Sequence, residues 1–392
     1  MTPTAVVFLT VFIDLIGFGI IIPLLPFYAE HFGGTALSVG LLSTSFSFMQ
    51  FLFAPFWGRL SDRIGRRPVI LIGLFGSFLA YLFFGLATSL TLLFVARIFA
   101  GIAGANVSTA QAYMADVTTP ENRAKGMGLV GAAFGLGFIF GPAIGGFLSQ
   151  WGYQVPSFFA SGLSLLNFIS AWFVLPESRP PNKHGHQRGG SRFEVLKTAM
   201  ARPYLPQLLL VYFIVIAAFS SFEATFALFS EVRYGFNAST IGYVFAFVGV
   251  ILVIVQGTLV GRMARLVGEH RVVPIAILVL ATGLVLIPIS GSVTALLVAV
   301  GLLSVGMGFN SPSITSMISR LSHADEQGGV LGISQSTASL ARILGPVTGG
   351  LLYDNFGLVT PYVTAAALML IAFLISMVGL SRVPTAQNSQ QT

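Results

Sequence analysis

Apolar stretches of about 20 residues recur along the chain, separated by short gaps rich in polar residues, glycine and proline. A bilayer core needs about 20 apolar residues per helix. On that ruler the chain predicts twelve spans, at about 4–27, 36–57, 68–88, 90–113, 126–148, 156–175, 204–230, 239–260, 272–290, 293–318, 329–351 and 359–380. Strands of a membrane barrel alternate apolar and polar residues over about ten positions, whereas Val69 to Ala87 is continuously apolar. The expected fold is all-α and integral to the membrane. The first span follows Met1-Thr-Pro-Thr, with no basic segment or cleavage site, and is read as a retained helix.

Composition agrees with this reading. Only 8% of the 392 residues are charged and mean hydropathy is +0.87, against about 25% charged in soluble chains. There is no cysteine, so disulfides, thiol metal sites and thiol nucleophiles are excluded, and no metal site is expected. The net charge of +7 is explained by its distribution. With the N-terminus inside, seventeen of the 20 Lys and Arg residues fall in cytoplasmic gaps or the tail; Arg233 lies outside, and Arg97 and Arg342 fall within spans. The positive-inside rule places both termini in the cytoplasm, and no nucleic-acid partner is needed. The longest gap carries six cations with Pro180-Pro181 and Gly189-Gly190. It reads as a linker along the anionic inner leaflet, with His184 and His186 solvated. The expected setting is a cell membrane, the inner membrane of a bacterium, with lipid as partner and the monomer as the working unit.

The chain is also written twice. At a shift of 203 to 205 residues Gly58-Arg59 falls on Gly261-Arg262, Gly65 on Gly268, Gly104 and Asn106 on Gly308 and Asn310, Gly141-Pro142 and Gly145-Gly146 on Gly345-Pro346 and Gly349-Gly350, and Gly152 and Pro156 on Gly357 and Pro361. The expected organisation is an N-terminal six-helix bundle at 1–176, a linker at 177–203, a C-terminal six-helix bundle at 204–381 and a tail at 382–392. An even number of spans per copy gives both the same orientation. Parallel repeats of this kind form one transporter architecture, with the substrate between them.

Asp14, Arg97, Glu223 and Arg342 lie inside spans one, four, seven and eleven. Each costs about 2.5 to 3.5 kcal/mol at a helix centre unless paired or hydrated. They read either as structural ion pairs or as a functional set facing a watery cavity. Burial raises a carboxyl pKa and a nearby guanidinium lowers it, so helix movement can load or unload a proton at Asp14 or Glu223, with Arg97 tuning the charge. Asn106, Gln111, Asn310, Gln50 and Gln256 line a polar cavity or satisfy neighbouring helices. Phe219, Phe222 and Phe226 suit a greasy pocket around Glu223, although most phenylalanines are expected to face lipid. Arg342 completes the candidate cavity.

Span five carries Gly131, Gly135, Gly141-Pro142 and Gly145-Gly146, a stripe of small residues that lets another backbone approach. No nucleotide loop of the G-x-x-x-x-G-K-[ST] type is present, so no nucleotide or other cofactor is expected and a gradient is the expected energy source. The gap after span two reads Gly58-Arg-Leu-Ser-Asp62-Arg63-Ile-Gly65-Arg66-Arg67-Pro68. It resembles the signature loop of the major facilitator superfamily and is similar in detail to its drug:proton antiporter branch, which includes tetracycline efflux proteins. Arg97 with Gly101 and Gly104, the span-five glycines, Ala115-Asp116-Val117-Thr118, Arg123-Ala124 and Leu175-Pro176-Glu177-Ser178 extend the resemblance over nearly the whole chain.

The resemblance implies that Asp62 caps helix eleven in the outward-facing state and that Arg66 pairs with Asp116, a latch completed by Gly58, Arg63, Gly65 and Arg67. It also places Asp14 at an acidic position of the first helix. In the second copy Arg265 stands where Asp62 does in the first, so only the first copy is expected to carry this latch. The chain departs from the tetracycline group in having no histidine in span eight and no acid inside spans three and nine, and in carrying Glu223 in span seven. The expected activity is proton-coupled export of small amphipathic or lipophilic compounds by alternating access. The alternatives are a transporter of the same architecture for a metabolite such as a sugar or siderophore, and a receptor or scaffold without flux. No cluster of nucleophile, base and orienting group points to an enzyme.

Overall fold

Proline and glycine decide where the long apolar runs bend. In a computed structural model, which describes residues 2–104, 106–119, 122–178, 200–321 and 327–380, the first expected span is two helices, α1 (Pro3–Ile21) and α2 (Leu25–His31). Pro23 and Pro26 sit at that break and lack the backbone N–H that would carry the helix through. The fourth is likewise split into α5 (Leu90–Ala103) and α6 (Asn106–Asp116). Between and after them run α3 (Ala36–Ile64), α4 (Arg66–Gly85), α7 (Arg123–Leu148), a 3₁₀ turn (Ser149–Trp151) and α8 (Gln154–Val174). The second copy comprises α9 (Leu205–Tyr234), α10 (Ala238–Ile254), a π-helical turn (Val255–Leu259), α11 (Val260–Val267), α12 (Glu269–Ile289), α13 (Val293–Arg320), α14 (Gln327–Phe356) and α15 (Thr360–Leu380).

Among the described residues, eleven of the twelve expected spans are helices long and apolar enough to cross a membrane. The remaining one corresponds to α14, which has 30 residues, ample length, but carries Gln335, Ser336, Thr337, Ser339 and Arg342 through its middle. The expected linker, with His184, His186 and most of its cations, and the tail at 382–392 lie outside the described residues.

Without a hydrophobic driving force between helices in lipid, close packing depends on small residues, and the span-five glycines provide it on two faces. On one, a Cβ at Gly137 would lie 2.7 Å from the Leu15 Cβ, and one at Gly141 2.6 Å from the Gly19 Cα, so α7 rides directly on α1. The second copy repeats this seam. A Cβ at Gly345 would lie 3.0 Å from the Ser220 Cβ and one at Gly349 3.1 Å from the Ser221 carbonyl, joining α14 to α9. On the other face of α7, a Cβ at Gly146 would meet the Ser239 carbonyl at 2.8 Å, and one at Gly249 the Phe138 carbonyl at 2.7 Å, joining α7 to α10. Gly131, also part of the stripe, meets no neighbour within 4 Å.

These contacts set the compact units. One consists of Met1–Gln187 with Ala224–Gly249, the other of Arg188–Glu223 with Val250–Thr392, each in its described part. The boundary between sequence copies near residue 204 is therefore not the boundary between compact units, because α7 draws the end of α9 and most of α10 to the first. The apolar core of that unit gathers Val7, Val11, Leu74, Tyr113 and Ala133 from α1, α4, α6 and α7.

Candidate functional site

In the first unit, Asp14 sits half-buried in the middle of α1. One turn further, Gly17 leaves room for the ring of Tyr81 on α4, since a Cβ there would lie 3.0 Å from it. Both Asp14 and Arg97 act electrostatically on buried Tyr81, so an acid, a phenol and a guanidinium from three helices share one interior region. Arg97, on α5, is itself buried. Its Nε makes a long hydrogen bond of 3.4 Å to the Leu42 carbonyl of α3, and its guanidinium lies 4.4 Å from the centre of the Phe46 ring. A desolvated cation over an aromatic face gains about 2 kcal/mol, which offsets part of the burial cost. Phe18 packs on Phe46 with ring centroids 5.4 Å apart.

The break between α5 and α6 leaves helix-end carbonyls to be satisfied. Gln50 of α3 donates to the Gly104 carbonyl at 3.0 Å, and the Trp57 indole to the Ile102 carbonyl at 2.6 Å. Of the two readings open for Gln50, the structure shows helix satisfaction. Gln111 is half-buried on α6. Asn106 begins α6.

The second unit holds the other two charges expected inside spans. Glu223 is half-buried on α9, and Arg342 is exposed on α14. The close contacts of Gly345 with Ser220 and Gly349 with Ser221 fix the register of these helices. They separate Glu223 from the level of Arg342 by roughly 10 Å at 1.5 Å per residue. Phe222 is completely buried and packs on half-buried Phe219 at 5.8 Å. In the first unit, equally buried Phe226 packs on Phe245 at 5.9 Å, so Phe222 and Phe226 serve packing in this state. Gln256 is exposed on the π-helical turn. Asn310 is completely buried, and neither its amide nitrogen nor its oxygen has a hydrogen-bond partner among the described residues; the Ser313 hydroxyl one turn on shares that condition.

A separate charged bracket closes the loop between α3 and α4. Gly65 turns the chain with φ of +101°, a conformation that suits glycine. This brings Arg66 beneath the end of α3. Its guanidinium binds Asp62 at 2.7 Å, Asp116 of α6 at 3.1 Å and the Ser61 hydroxyl at 2.6 Å. The Arg66–Asp116 pair implied by the sequence resemblance is thus present as geometry. Asp62 and Arg63 are exposed, and Gly58 has open space around it. Sequence reasoning did not foresee Glu177, whose carboxylate accepts from the backbone N–H groups of Arg66 at 2.9 Å and Arg67 at 3.1 Å and so caps α4. The Arg67 side chain donates to the Trp172 carbonyl.

The second copy carries a charged bracket of its own, between other residues. Gly268 turns the chain with φ of +81°, and Glu269 follows it as Arg66 follows Gly65. Glu269 accepts from Arg320 at 3.0 Å and from the Ser316 hydroxyl at 2.8 Å. Arg265, Glu269 and Arg320 fall at shifts of 203, 203 and 204 on Asp62, Arg66 and Asp116. The Glu269–Arg320 pair thus stands at the places of Arg66 and Asp116 with both charges reversed, while Arg265 donates to the Gly261 carbonyl at 3.1 Å.

Helices arranged as two repeats, with interior charges and glycine seams between the first and fifth helix of each, are the construction of a membrane transporter. The family model described as the Major Facilitator Superfamily matches residues 7–266 and 254–392, and the chain belongs to that superfamily. It is similar to Multidrug resistance protein 2 of Bacillus subtilis (strain 168), with 31% identity over 377 residues covering 94% of this chain and 92% of the relative. It is also similar to the class E tetracycline resistance protein of Escherichia coli, with 33% identity covering 88% of this chain and 86% of the relative. Among solved structures, that of the human organic anion transporter MFSD10 (TETRAN) matches with a TM-score of 0.73 and 27% identity over 95% of this chain and 98% of that one.

Proposed function

We propose that this transporter exports small amphipathic or lipophilic compounds in exchange for protons, alternating access between the two sides of a cell membrane. Both termini are assigned to the cytoplasm, on the distribution of Lys and Arg, and the monomer in lipid is the working unit. The observation that carries the reading is the half-buried carboxyl of Asp14 sharing an interior region with Tyr81 and Arg97. An acid whose surroundings change with helix position binds a proton in one state and releases it in the other. The names of the relatives, a multidrug and a tetracycline resistance protein, support compounds of that class.

One feature favours a second substrate chemistry. Buried Arg97, stacked on Phe46, is a cation beside an aromatic face, which also suits a lipophilic anion. The test is transport in proteoliposomes under an imposed pH gradient, using a lipophilic cation, a neutral lipophile and a lipophilic anion as probes. The Asp14→Asn variant is expected to lose gradient-driven flux by at least tenfold while remaining monodisperse, and undiminished flux would overturn the assignment. Flux of the anion alone would transfer the reading to the second chemistry.

A further inference from the structure

Within the second unit, a cavity of about 80 Å³ lies between α11, α12 and α13, lined by Met263, Val272, Ile275, Val279, Val305 and Phe309 among others. Every residue along it is apolar or glycine. Its floor is set at Gly306, where a Cβ would lie 2.7 Å from the Ala276 carbonyl, so α13 sits directly against α12. Its rim is open, because Ile275 is exposed, as are Leu266 and Leu278 on the same two helices. On a membrane span such a groove opens to lipid.

Cations gather at one end of this groove. Arg271, Ile275 and Val279 follow one another at four-residue spacing and so share a face of α12. Arg262 precedes Met263 on α11, and Arg265 stands between Met263 and the Gly268 turn. All three arginines are exposed. From residue 250 to 321 the chain has four arginines and a single acid, Glu269, which is already held by Arg320 and Ser316. Among the described residues, no carboxylate pairs with Arg262, Arg265 or Arg271. The first copy's loop sets Asp62, Asp116 and Glu177 beside its arginines, so the larger surplus of positive charge belongs to the second.

We propose that the groove holds one acyl chain of an anionic phospholipid, whose phosphate is bound at the mouth by Arg262 and Arg271, with Arg265 adding to the field. Eight residues separate Arg271 from Val279, about 12 Å of helix. That reach fits within half of a hydrocarbon core about 30 Å thick. The occupant therefore carries its head at the membrane surface and its tail no deeper than the midplane. Guanidinium groups bind phosphate oxygens through paired N–H groups, and a hydrocarbon chain leaves no polar atom of the groove without a partner. A zwitterionic lipid offers the same chain, but its own ammonium must then sit among three arginines. The assignment to the cytoplasmic leaflet rests on the proposed orientation; the site does not.

The test reads binding, not transport, and so stands apart from the proposed export. The full chain in detergent is titrated with phosphatidylglycerol or with phosphatidylcholine of the same acyl chains, and bound lipid is counted by native mass spectrometry beside thermal unfolding. One phosphatidylglycerol is expected to bind about tenfold more tightly than phosphatidylcholine and to raise the unfolding midpoint. Each cation at an anionic lipid surface contributes about fivefold in affinity, so Arg262→Gln with Arg271→Gln is expected to weaken binding about 25-fold. Arg262→Lys with Arg271→Lys is expected to keep most of it. Val279→Phe, which fills the groove and leaves the arginines in place, is expected to weaken phosphatidylglycerol binding as well. Equal affinity for the two lipids overturns the proposal, as does undiminished binding in the double glutamine variant or in Val279→Phe. Equal stabilisation by inorganic phosphate, which has no chain, also overturns it. Tetraphenylborate bound as tightly through the same residues overturns it in favour of a lipophilic anion as substrate. Should Val279→Phe not fold, the comparison of the two lipids with phosphate still decides.

Discussion

The brackets at Arg66 and Glu269 occupy matching places in the two copies and hold opposite charges, and their surroundings differ in the way that reversal demands. A helix N-terminus favours negative charge. In the first copy the residue opening α4 is a cation, Arg66, and the anion comes from elsewhere: Glu177 takes the two leading N–H groups. In the second copy the residue opening α12 is itself an acid, Glu269. Among the described residues, the first bracket joins α3, α4, α6 and the segment after α8, whereas the second joins α12 to α13. The repeat has conserved the pairing of charges between equivalent helices while leaving their sign free, and the first copy is tied more heavily than the second.

The difference should be largest when the central cation of the first bracket is removed. Arg66→Ala leaves Asp62 and Asp116 without their shared guanidinium, and the Arg66 side chain is only 9% exposed. Breaking a fully buried pair costs about 3 to 5 kcal/mol. Asp116 is 24% and Asp62 53% exposed, so water takes up part of the loss and about 2 to 3 kcal/mol is expected. Thermal unfolding in detergent, compared with Arg320→Ala, measures it; equal shifts in the two variants would erase the proposed asymmetry.

Glu177→Gln sharpens the same comparison at smaller cost. The amide oxygen can still accept one N–H, but the negative charge at the α4 terminus is gone, for an expected loss of about 1 kcal/mol. Thermal unfolding of Glu177→Gln beside Glu177→Asp separates charge from hydrogen bonding. The aspartate variant is expected to retain more of the stability, and a loss in Glu177→Asp with none in Glu177→Gln would assign the effect to reach alone.

How much of this could be read from the sequence follows from what each contact is made of. The spans were legible because lipid imposes a run of apolar residues on nearly every helix, and α14 fell short by that measure only because polar side chains fill its middle. Arg66 and Asp116 were legible through a motif. Glu269 and Arg320 were not, because comparing the copies by like residues treats an acid opposite an arginine as a mismatch, although reversing both partners preserves the pair. Glu177 was hidden for another reason: its partners are backbone N–H groups, which every residue but proline carries. Of the interior set, sequence identified Asp14 and Arg97 by their cost in lipid, but not Tyr81, whose phenol lets it pass as an ordinary membrane aromatic.

The smallest expected effect tests whether the second bracket is held mainly by a screened surface charge. Arg320 is 59% exposed, while Glu269 is 9% exposed and also accepts from Ser316. An exposed partner yields about 0.2 to 1 kcal/mol, so Arg320→Ala should destabilise by no more than that. Salt at about 1 M shortens the screening length to about 3 Å, and the remaining difference between Arg320→Ala and the parent should then largely vanish. Arg66→Ala, acting on a buried guanidinium, should keep most of its deficit under the same salt. A deficit in Arg320→Ala that persists at high salt would mean that its guanidinium supports Glu269 by fixed hydrogen bonding, as Arg66 supports its own partners, and the two copies would then differ in sign but not in strength.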